Sequence, residues 1–365
     1  MKKIAHIIKS LDPGGVETWL KDLSYINNHE VYKLFFLLQS TDKSFYEDEI
    51  VRNKGIIEKI NLEEGILKYS LNLFKFLRRN KIDIIHAHVN LSSGWILFIA
   101  FLAGVKKRIA HCHNDKRKDY KQRSLIKKIY FFTMKLFVNI FSTTKISVSK
   151  TCAPSMFYSN TCYKIIPCGL SFKINNSNIE RKNLNLNKTD IVICHIGRFT
   201  DQKNHEFSLK IMKKLHNKKY KLLLIGDGEN KNKILTLANT YDISDQIIFL
   251  GLRNDVMDIL INIVDIHILP SKYEGLGLVA IESQMAKKYT LVSNHVPTDT
   301  KISNLIEYLP IDSECDIKKW CDKIENHSLN TNLDIKDIHT QNKFSIEENY
   351  KKIIRIYNND RPKNL

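Results

Sequence analysis

Short apolar, β-branched runs alternate with helix-length segments from one end of this chain to the other, and they do so in two series. The first series reads as strands at Lys3–Ile8, Tyr32–Leu38, Ile82–Ala87, Lys107–Ala110, Lys145–Val148 and Lys164–Ile166, with helical patterns such as Leu67–Asn80 between them. After Gly169 the stretch 171–190 turns polar, rich in Asn and Lys, and offers little that could build a core. A second series of strands follows at Ile191–Ile196, Lys221–Ile225, Gln246–Leu250, Asp265–Leu269 and Tyr289–Ser293. Alternation of this kind specifies parallel sheets covered by helices on both faces. The expected fold is therefore α/β, with two doubly wound, Rossmann-like lobes at 1–170 and 191–340, joined by a linker at 171–190 and facing a central cleft. Ligands of such sheets gather at the C-terminal ends of the strands. A length of 365 residues, more than one core usually supports, agrees with two domains. In the last segment, 341–365, Ser345 and Glu348 open a run of apolar positions at helical spacing that reaches Tyr357, a closing helix.

Charge narrows the function further. The net charge is +18, and residues 1–170 carry most of it, with 28 basic against 14 acidic side chains. Residues 101–150 alone hold 13 basic and 2 acidic residues. Such a local positive field attracts anionic lipid, nucleic acid or a phosphorylated substrate. The seven cysteines are scattered, without C-x-x-C pairs, and read as reduced, mostly buried thiols. No metal-ligand spacing is visible. Met1-Lys2-Lys3-Ile4 runs straight into a strand without a cleavage site, and the longest apolar stretch, Trp95–Val105, falls short of the roughly 20 residues a bilayer requires. A cytoplasmic protein without a membrane span is expected.

Candidate chemistry concentrates at strand ends. In the second series, Ile191–Ile196 runs into Gly197-Arg198-Phe199-Thr200-Asp201-Gln202-Lys203-Asn204. Arg and Lys together suit a diphosphate, one as a planar fork and one as a mobile point charge, and a glycine lets backbone approach a ligand; solvated loop charge is the alternative. The next strand ends in Gly226-Asp227-Gly228-Glu229. Leu269 opens the most informative segment, in which Glu274, Gly275, Leu276, Gly277 and Leu278 lead from a strand into a helix that carries Glu282. Free amides at that helix start make a phosphate site, and the two carboxylates can accept from sugar hydroxyls.

Taken together, Glu274 and Glu282 with seven residues between them, the Gly-Arg-Phe-x-x-x-Lys-Asn stretch and Gly226-Asp227-Gly228 resemble the retaining glycosyltransferases of the GT4 type, which have the GT-B fold. The pattern is most similar to bacterial capsule, exopolysaccharide and O-antigen enzymes. Gly14-Gly15-Val16-Glu17-Thr18, His86-Ala87-His88, Ile109-Ala110-His111-Cys112-His113-Asn114 and Ile166-Pro167-Cys168-Gly169 extend the resemblance through the first lobe. The chain departs from the family where Cys168 replaces a common Asn and Gly277 a common Pro or Phe.

The resemblance implies that Arg198 and Lys203 hold the donor diphosphate and neutralise it as it departs. It implies that Glu274 contacts hydroxyls of the transferred sugar, Glu282 the ribose, and the amides of Gly275, Leu276, Gly277 and Leu278 the sugar and phosphates. Arg253 lies where the family holds the base through backbone atoms, and Gly14, Gly15 and Gly197 are approach points for the donor. His113 is the expected catalytic-site histidine of the first lobe, with His111 and His88 as alternatives. The family transfers with retention, by front-side attack in which a donor phosphate oxygen takes the acceptor proton, unlike the two-carboxylate route of glycosidases. The closing helix crosses back to the first lobe in that fold. A UDP-sugar is expected in preference to a GDP-sugar, no metal is expected, and the acceptor is expected to be a polyprenyl-diphosphate-linked glycan.

The basic segment with Lys116, Arg117, Lys118, Lys121 and Arg123, followed by Ile129-Tyr130-Phe131-Phe132, is read as a patch for an anionic membrane and the acceptor, peripheral on the inner face of the cytoplasmic membrane. For its aromatic residues, burial against the lobe is the alternative. Two rival classes remain. A sugar-nucleotide epimerase or phosphorylase would share the fold. A basic nucleic-acid-binding protein is suggested by charge alone and lacks any recognisable module.

Overall fold

The computed structural model describes residues 1–117, 124–171, 179–215, 217–327 and 343–358. They form two units, one of residues 1–171 with 343–358 and the other of residues 179–327.

In the first unit the apolar run at Ile4–Ile8 is buried along its whole length, as expected of a strand with both sheet faces covered. It lies in β1 (Lys2–Ile8), followed by β2 (Tyr32–Leu38), β3 (Ile56–Lys59), β4 (Ile84–Ala87), β5 (Lys107–Cys112), β6 (Thr144–Ser147) and β7 (Lys164–Ile165). The sheet order is β3-β2-β1-β4-β5-β6-β7, parallel throughout. The direction of winding reverses between β1 and β4, the point where open α/β sheets leave a crevice for ligands. The crossovers carry α1 (Gly15–Ile26), α2 (Glu47–Arg52), α3 (Ile66–Arg79), α4 (Ser93–Leu102) and α5 (Leu125–Phe141).

The second unit repeats the plan. Strands β8 (Ile191–Ile196), β9 (Tyr220–Ile225), β10 (Ile247–Gly251), β11 (Ile266–Leu269), β12 (Tyr289–Ser293) and β13 (Ile306–Leu309) lie in the order β10-β9-β8-β11-β12-β13, again all parallel. Its reversal falls between β8 and β11. The helices are α6 (His205–Leu215), α7 (Lys231–Thr240), α8 (Val256–Asn262), α9 (Leu278–Met285) and α10 (Glu314–Glu325). Two apolar clusters sandwich the sheet, one under α6, α7 and α10 and one under α8.

The last helix, α11 (Ile346–Asn358), belongs to the first unit. Trp19 Nε1 donates to Asn349 Oδ1 at 2.7 Å, Asn349 Nδ2 donates to the Pro167 carbonyl at 2.6 Å, and Tyr32 donates its hydroxyl to Asn358 Oδ1 at 2.7 Å.

Two strands escape the sequence reading, β3 and β13, both at sheet edges. An edge strand needs no continuous apolar run: β3 is partly buried at Ile56 and Ile57 and exposed at Glu58 and Lys59, and the middle of β13 is only partly buried. The stretch read as a linker differs as well. Residues 172–178 lie outside the described residues, but Arg181 donates to Asp265 Oδ2 at 2.7 Å and to the Asp190 carbonyl at 2.8 Å, which fastens 179–190 to the second sheet. Among the described residues no helix is long and apolar enough to cross a membrane.

Candidate active site

The second unit gathers its candidate residues at the reversal point because β8 and β11 are neighbours and both end there. Lys203 leaves the loop after β8, and its stem runs across Gly197: a Cβ on that glycine would lie 3.0–3.1 Å from three carbons of the Lys203 side chain. The space on the Cβ side of Gly197 is thus filled by the Lys203 stem. The ammonium ends 2.6 Å from Glu274 Oε1, with the two side chains only 17% and 8% exposed. Around this pair the loops are knitted together. Gln202 donates to the Tyr273 carbonyl at 3.0 Å, the Lys272 amide donates to the Gln202 carbonyl at 2.8 Å, and Asn204 donates to the Pro270 carbonyl at 3.1 Å.

The loop after β9 braces this arrangement from the other side. Gly226 has φ +139°, and a Cβ there would stand 2.1 Å from the Gly197 carbonyl oxygen. Only glycine allows both the conformation and the approach. The Phe199 amide donates to the Asp227 carbonyl at 2.9 Å, closing the contact.

Beyond Glu274, Gly275 and Leu276 are buried, and Gly277 caps α9 with φ +85°, the left-handed region that favours glycine. Leu278 opens the helix, partly exposed, and Glu282 is partly exposed one turn on. Arg198 is exposed at the end of β8. Arg253 is committed elsewhere, its Nε and Nη2 donating to the two carboxylate oxygens of Asp255 at 2.8 and 2.5 Å.

Beneath these loops lies a group of histidines that the sequence reading missed. His195 Nδ1 is 2.8 Å from Ser208 Oγ, and its ring stacks on His205 at 4.0 Å, which stacks in turn on Phe199 at 4.2 Å. Burial pulls His205 and His267 down to about 3 and His195 well below its ordinary value, with the Lys203 ammonium as a further cause. All three are neutral.

The first unit builds its strand ends differently. Gly14, in extended conformation, and Gly15 lead from β1 into α1. Five histidines, His6 on β1, His86 and His88 at β4, and His111 and His113 at β5, form one layer because residues two apart on a strand share a face and the register sets His6 beside His86. His6 Nδ1 lies 3.0 Å from His88 Nε2, and His88 Nδ1 lies 2.9 Å from His113 Nε2. His86 bridges His111 Nδ1 at 3.1 Å and the Tyr357 hydroxyl at 2.8 Å. Trp19 packs edge-on against His86, His88 and His111. Burial lowers every one of these imidazoles, His6 and His113 to about 3. His113 also meets the Cys168 thiol at 3.5 Å, a thiol that burial keeps protonated.

No metal-ligand spacing was visible along the chain, yet folding brings together two sets of nitrogens, His6/His86/His88 and His88/His111/His113, each within 4.8 Å. The separations of 2.9–3.1 Å within the layer are those of hydrogen bonds, and shorter than tetrahedral ligands around a metal would leave, so the rings are each other's partners as they stand.

Of the basic patch, Lys116 is partly exposed, and Arg117 is exposed but paired with Asp115 at 2.6 Å. Lys118, Lys121 and Arg123 lie outside the described residues. The following helix, α5, buries only Met134 and Val138. Leu125, Ile126, Ile129 and Phe132 are exposed, Ile126 by 81% and Phe132 by 66%, with Phe101 and Leu102 of α4 also exposed. Lys127 and Lys128 stand exposed on the same helix.

Residues 176–334 match the family described as glycosyl transferases group 1. The chain is a glycosyltransferase. Over 331 residues, 89% of its length and 90% of the relative's, this glycosyltransferase is 25% identical to the capsular polysaccharide biosynthesis glycosyltransferase CapH of Staphylococcus aureus. It is 24% identical over 312 residues to the putative glycosyltransferase EpsF of Bacillus subtilis, covering 81% and 80% of the two chains. It is 25% identical over 334 residues, 85% of each chain, to an Escherichia coli UDP-Gal:alpha-D-GlcNAc-diphosphoundecaprenol alpha-1,3-galactosyltransferase. Among solved structures, Anabaena Alr3699/HepE in complex with UDP and glucose superposes with a TM-score of 0.80, covering 98% of this glycosyltransferase and 99% of that chain at 15% identity. Its two parallel sheets are those of the GT-B fold.

Proposed function

We propose that this glycosyltransferase moves a hexose or N-acetylhexosamine from a UDP-sugar to a growing, lipid-linked surface-polysaccharide acceptor, with retention of configuration, at the inner face of the cytoplasmic membrane. The observation that carries the reading is the buried Lys203–Glu274 pair at the reversal point of the second sheet, beside the N-terminus of α9. It combines a cation for a departing diphosphate with a carboxylate for sugar hydroxyls. Relatives whose names include capsular polysaccharide biosynthesis and a diphosphoundecaprenol acceptor support the substrate class.

In this reading Arg198 and Lys203 neutralise charge that grows on the leaving diphosphate, and the amides of Gly275 to Leu278 add fixed dipoles at the start of α9. Positive charge from these side chains does the work a divalent ion does elsewhere. Glu274 accepts from hydroxyls of the transferred sugar and Glu282 from the ribose. The base is held by backbone near Arg253, whose guanidinium already serves Asp255. His113 contacts the transferred sugar. A donor phosphate oxygen takes the acceptor proton, so the two carboxylates are not an acid and nucleophile pair.

The exposed apolar residues of α5, set among Lys127 and Lys128 and preceded by Lys116 and Arg117, suit the interface of an anionic bilayer, where such an acceptor resides. The test is a thermal-shift screen with UDP- and GDP-sugars followed by mass spectrometry of products with a polyprenyl-diphosphate glycan. A glycosylated acceptor plus UDP, formed at an unchanged rate in EDTA, supports the reading. An isomerised nucleotide sugar or a sugar phosphate as the sole product overturns it in favour of an epimerase or phosphorylase.

A further inference from the structure

Each neutral imidazole carries one N–H and one lone pair, so rings joined by N–H···N bonds cannot choose their tautomers independently. His6, His88 and His113 form such a row: Nδ1 of His6 faces Nε2 of His88, Nδ1 of His88 faces Nε2 of His113, and Nδ1 of His113 faces the Cys168 sulfur. Because every link joins a δ nitrogen to the next partner, the row has two consistent states. Either all three rings carry the proton on Nδ1, or all three carry it on Nε2.

The far end of the row decides between them. His6 is fully buried, and its Nε2 has no hydrogen-bond partner. Protons on Nε2 would leave a buried N–H there without an acceptor, an arrangement proteins rarely tolerate. Protons on Nδ1 leave only a lone pair. The opposite end does not counter this, since sulfur is weak both as donor and as acceptor.

We propose that His6, His88 and His113 share the Nδ1–H tautomer, that His6 and His88 are positioning residues holding His113 as a neutral Nδ1–H donor, and that a sugar hydroxyl reaching the partly exposed His113 ring shares this N–H with the buried Cys168 sulfur. The last clause rests on the reading of His113 as a sugar contact; the tautomer does not. The 3.5 Å contact to sulfur is the weakest link of the row and leaves this N–H the least engaged of the three, so a hydroxyl can compete for it. His113 then serves as a fixed donor rather than as a base, because its other nitrogen is already an acceptor for His88.

Long-range 1H–15N correlation spectra of the full chain labelled with 15N-histidine, at pH 7, read the tautomers directly. The expected result is the neutral Nδ1–H pattern for all three residues, assigned by single substitutions. An Nε2–H pattern or an imidazolium at any of them overturns the proposal, and this measurement needs only the wild-type fold. His6→Phe removes the first donor and is expected to abolish the single Nδ1–H state of His113, whereas His6→Asn, whose amide nitrogen falls near the position of Nδ1, restores it. An unchanged His113 pattern in a folded His6→Phe protein also overturns the assignment. In binding, His6→Phe is expected to weaken UDP-glucose or UDP-galactose by about tenfold with UDP unaffected, the scale of one lost hydrogen bond. Equal loss for UDP and the UDP-sugars would assign His6 a purely structural role. Failure of every nucleotide sugar to bind, with the tautomers as described, would refute the donor reading and leave the row intact.

Discussion

The two units share a sheet topology and differ in what they place at its reversal point. The first presents a layer of five neutral imidazoles, connected by hydrogen bonds and covered by Trp19 and Tyr357. The second presents a charged pair, Lys203 with Glu274, on glycine-lined loops over three neutral histidines. One fold thus supports two chemistries, orientation by uncharged donors and stabilisation of charge, because the side chains at strand ends are free to vary while the strands are not.

The largest consequence is in acid. A buried histidine lowered below its unfolded value of 6.5 takes up protons only on unfolding, so its stabilising contribution is complete above pH 6.5 and is lost as pH falls from there toward about 3. The loss is about 1.4 kcal/mol per group for each pH unit. With five such groups against three and the half-buried His327, which is also lowered by burial, the first unit is expected to unfold at a higher pH than the second. Variants retaining Trp19 alone or Trp320 alone as fluorophore, titrated from pH 8 to pH 3, report the two separately. Coincident transitions would erase the distinction between the units.

Next in size is the charged pair. Lys203→Ala and Glu274→Gln are each expected to cut turnover roughly 10²- to 10³-fold, the scale of one preorganised transition-state contact. His113→Ala is expected to cost about tenfold, as loss of a neutral hydrogen bond. Equal losses at His113 and Lys203 would break the division of labour. The stability of the same proteins sharpens it: Lys203→Ala leaves the Glu274 carboxylate buried and unpaired, so the double variant with Glu274→Gln is expected to melt higher than Lys203→Ala alone.

How much of this can be read along the chain follows from what each feature depends on. Strands β1, β2, β8 and β12 are legible because both faces are covered and most of their residues are apolar; β3, with two apolar residues, and β13, interrupted by Glu307, offer no such run. Lys203 and Glu274 are legible as motif residues, but their pairing depends on β8 and β11 being neighbours, which is a property of topology. The histidine row is hidden for the same reason. His6 lies within β1 and His88 and His113 just past the ends of β4 and β5, far apart in sequence, and only the parallel register makes them partners. His86 and His88, or His111 and His113, two apart on one strand, are the trace that the sequence does carry.

A smaller effect tests the bracing of the charged loops. Gly226→Ala would drive a methyl into the Gly197 carbonyl and impose a left-handed φ on alanine. A loss of about 2–3 kcal/mol is expected, measured by denaturant unfolding. Full stability would mean that the loop relaxes and that Gly226 does not hold Gly197 in place.

The smallest effect concerns surfaces, where the units differ once more. In the second unit α10 turns Trp320, Cys321 and Ile324 into the core, whereas α5 of the first leaves Leu125, Ile126, Ile129 and Phe132 outside. If those residues enter a bilayer interface, a single apolar side chain is worth about 1.5–3 kcal/mol of partitioning at full burial, and less at an interface. Ile126→Ser or Phe132→Ser is therefore expected to weaken flotation with vesicles containing anionic lipid by about tenfold. Both sites are exposed, so unfolding stability should stay within about 0.5 kcal/mol. Neutralising Lys116, Arg117, Lys118 and Lys121 should also weaken flotation, but only at low salt, because exposed charge is screened while apolar burial is not. Unchanged flotation in the serine variants would assign α5 to a different partner, and a matching loss of stability would show that its outer face is already packed in solution.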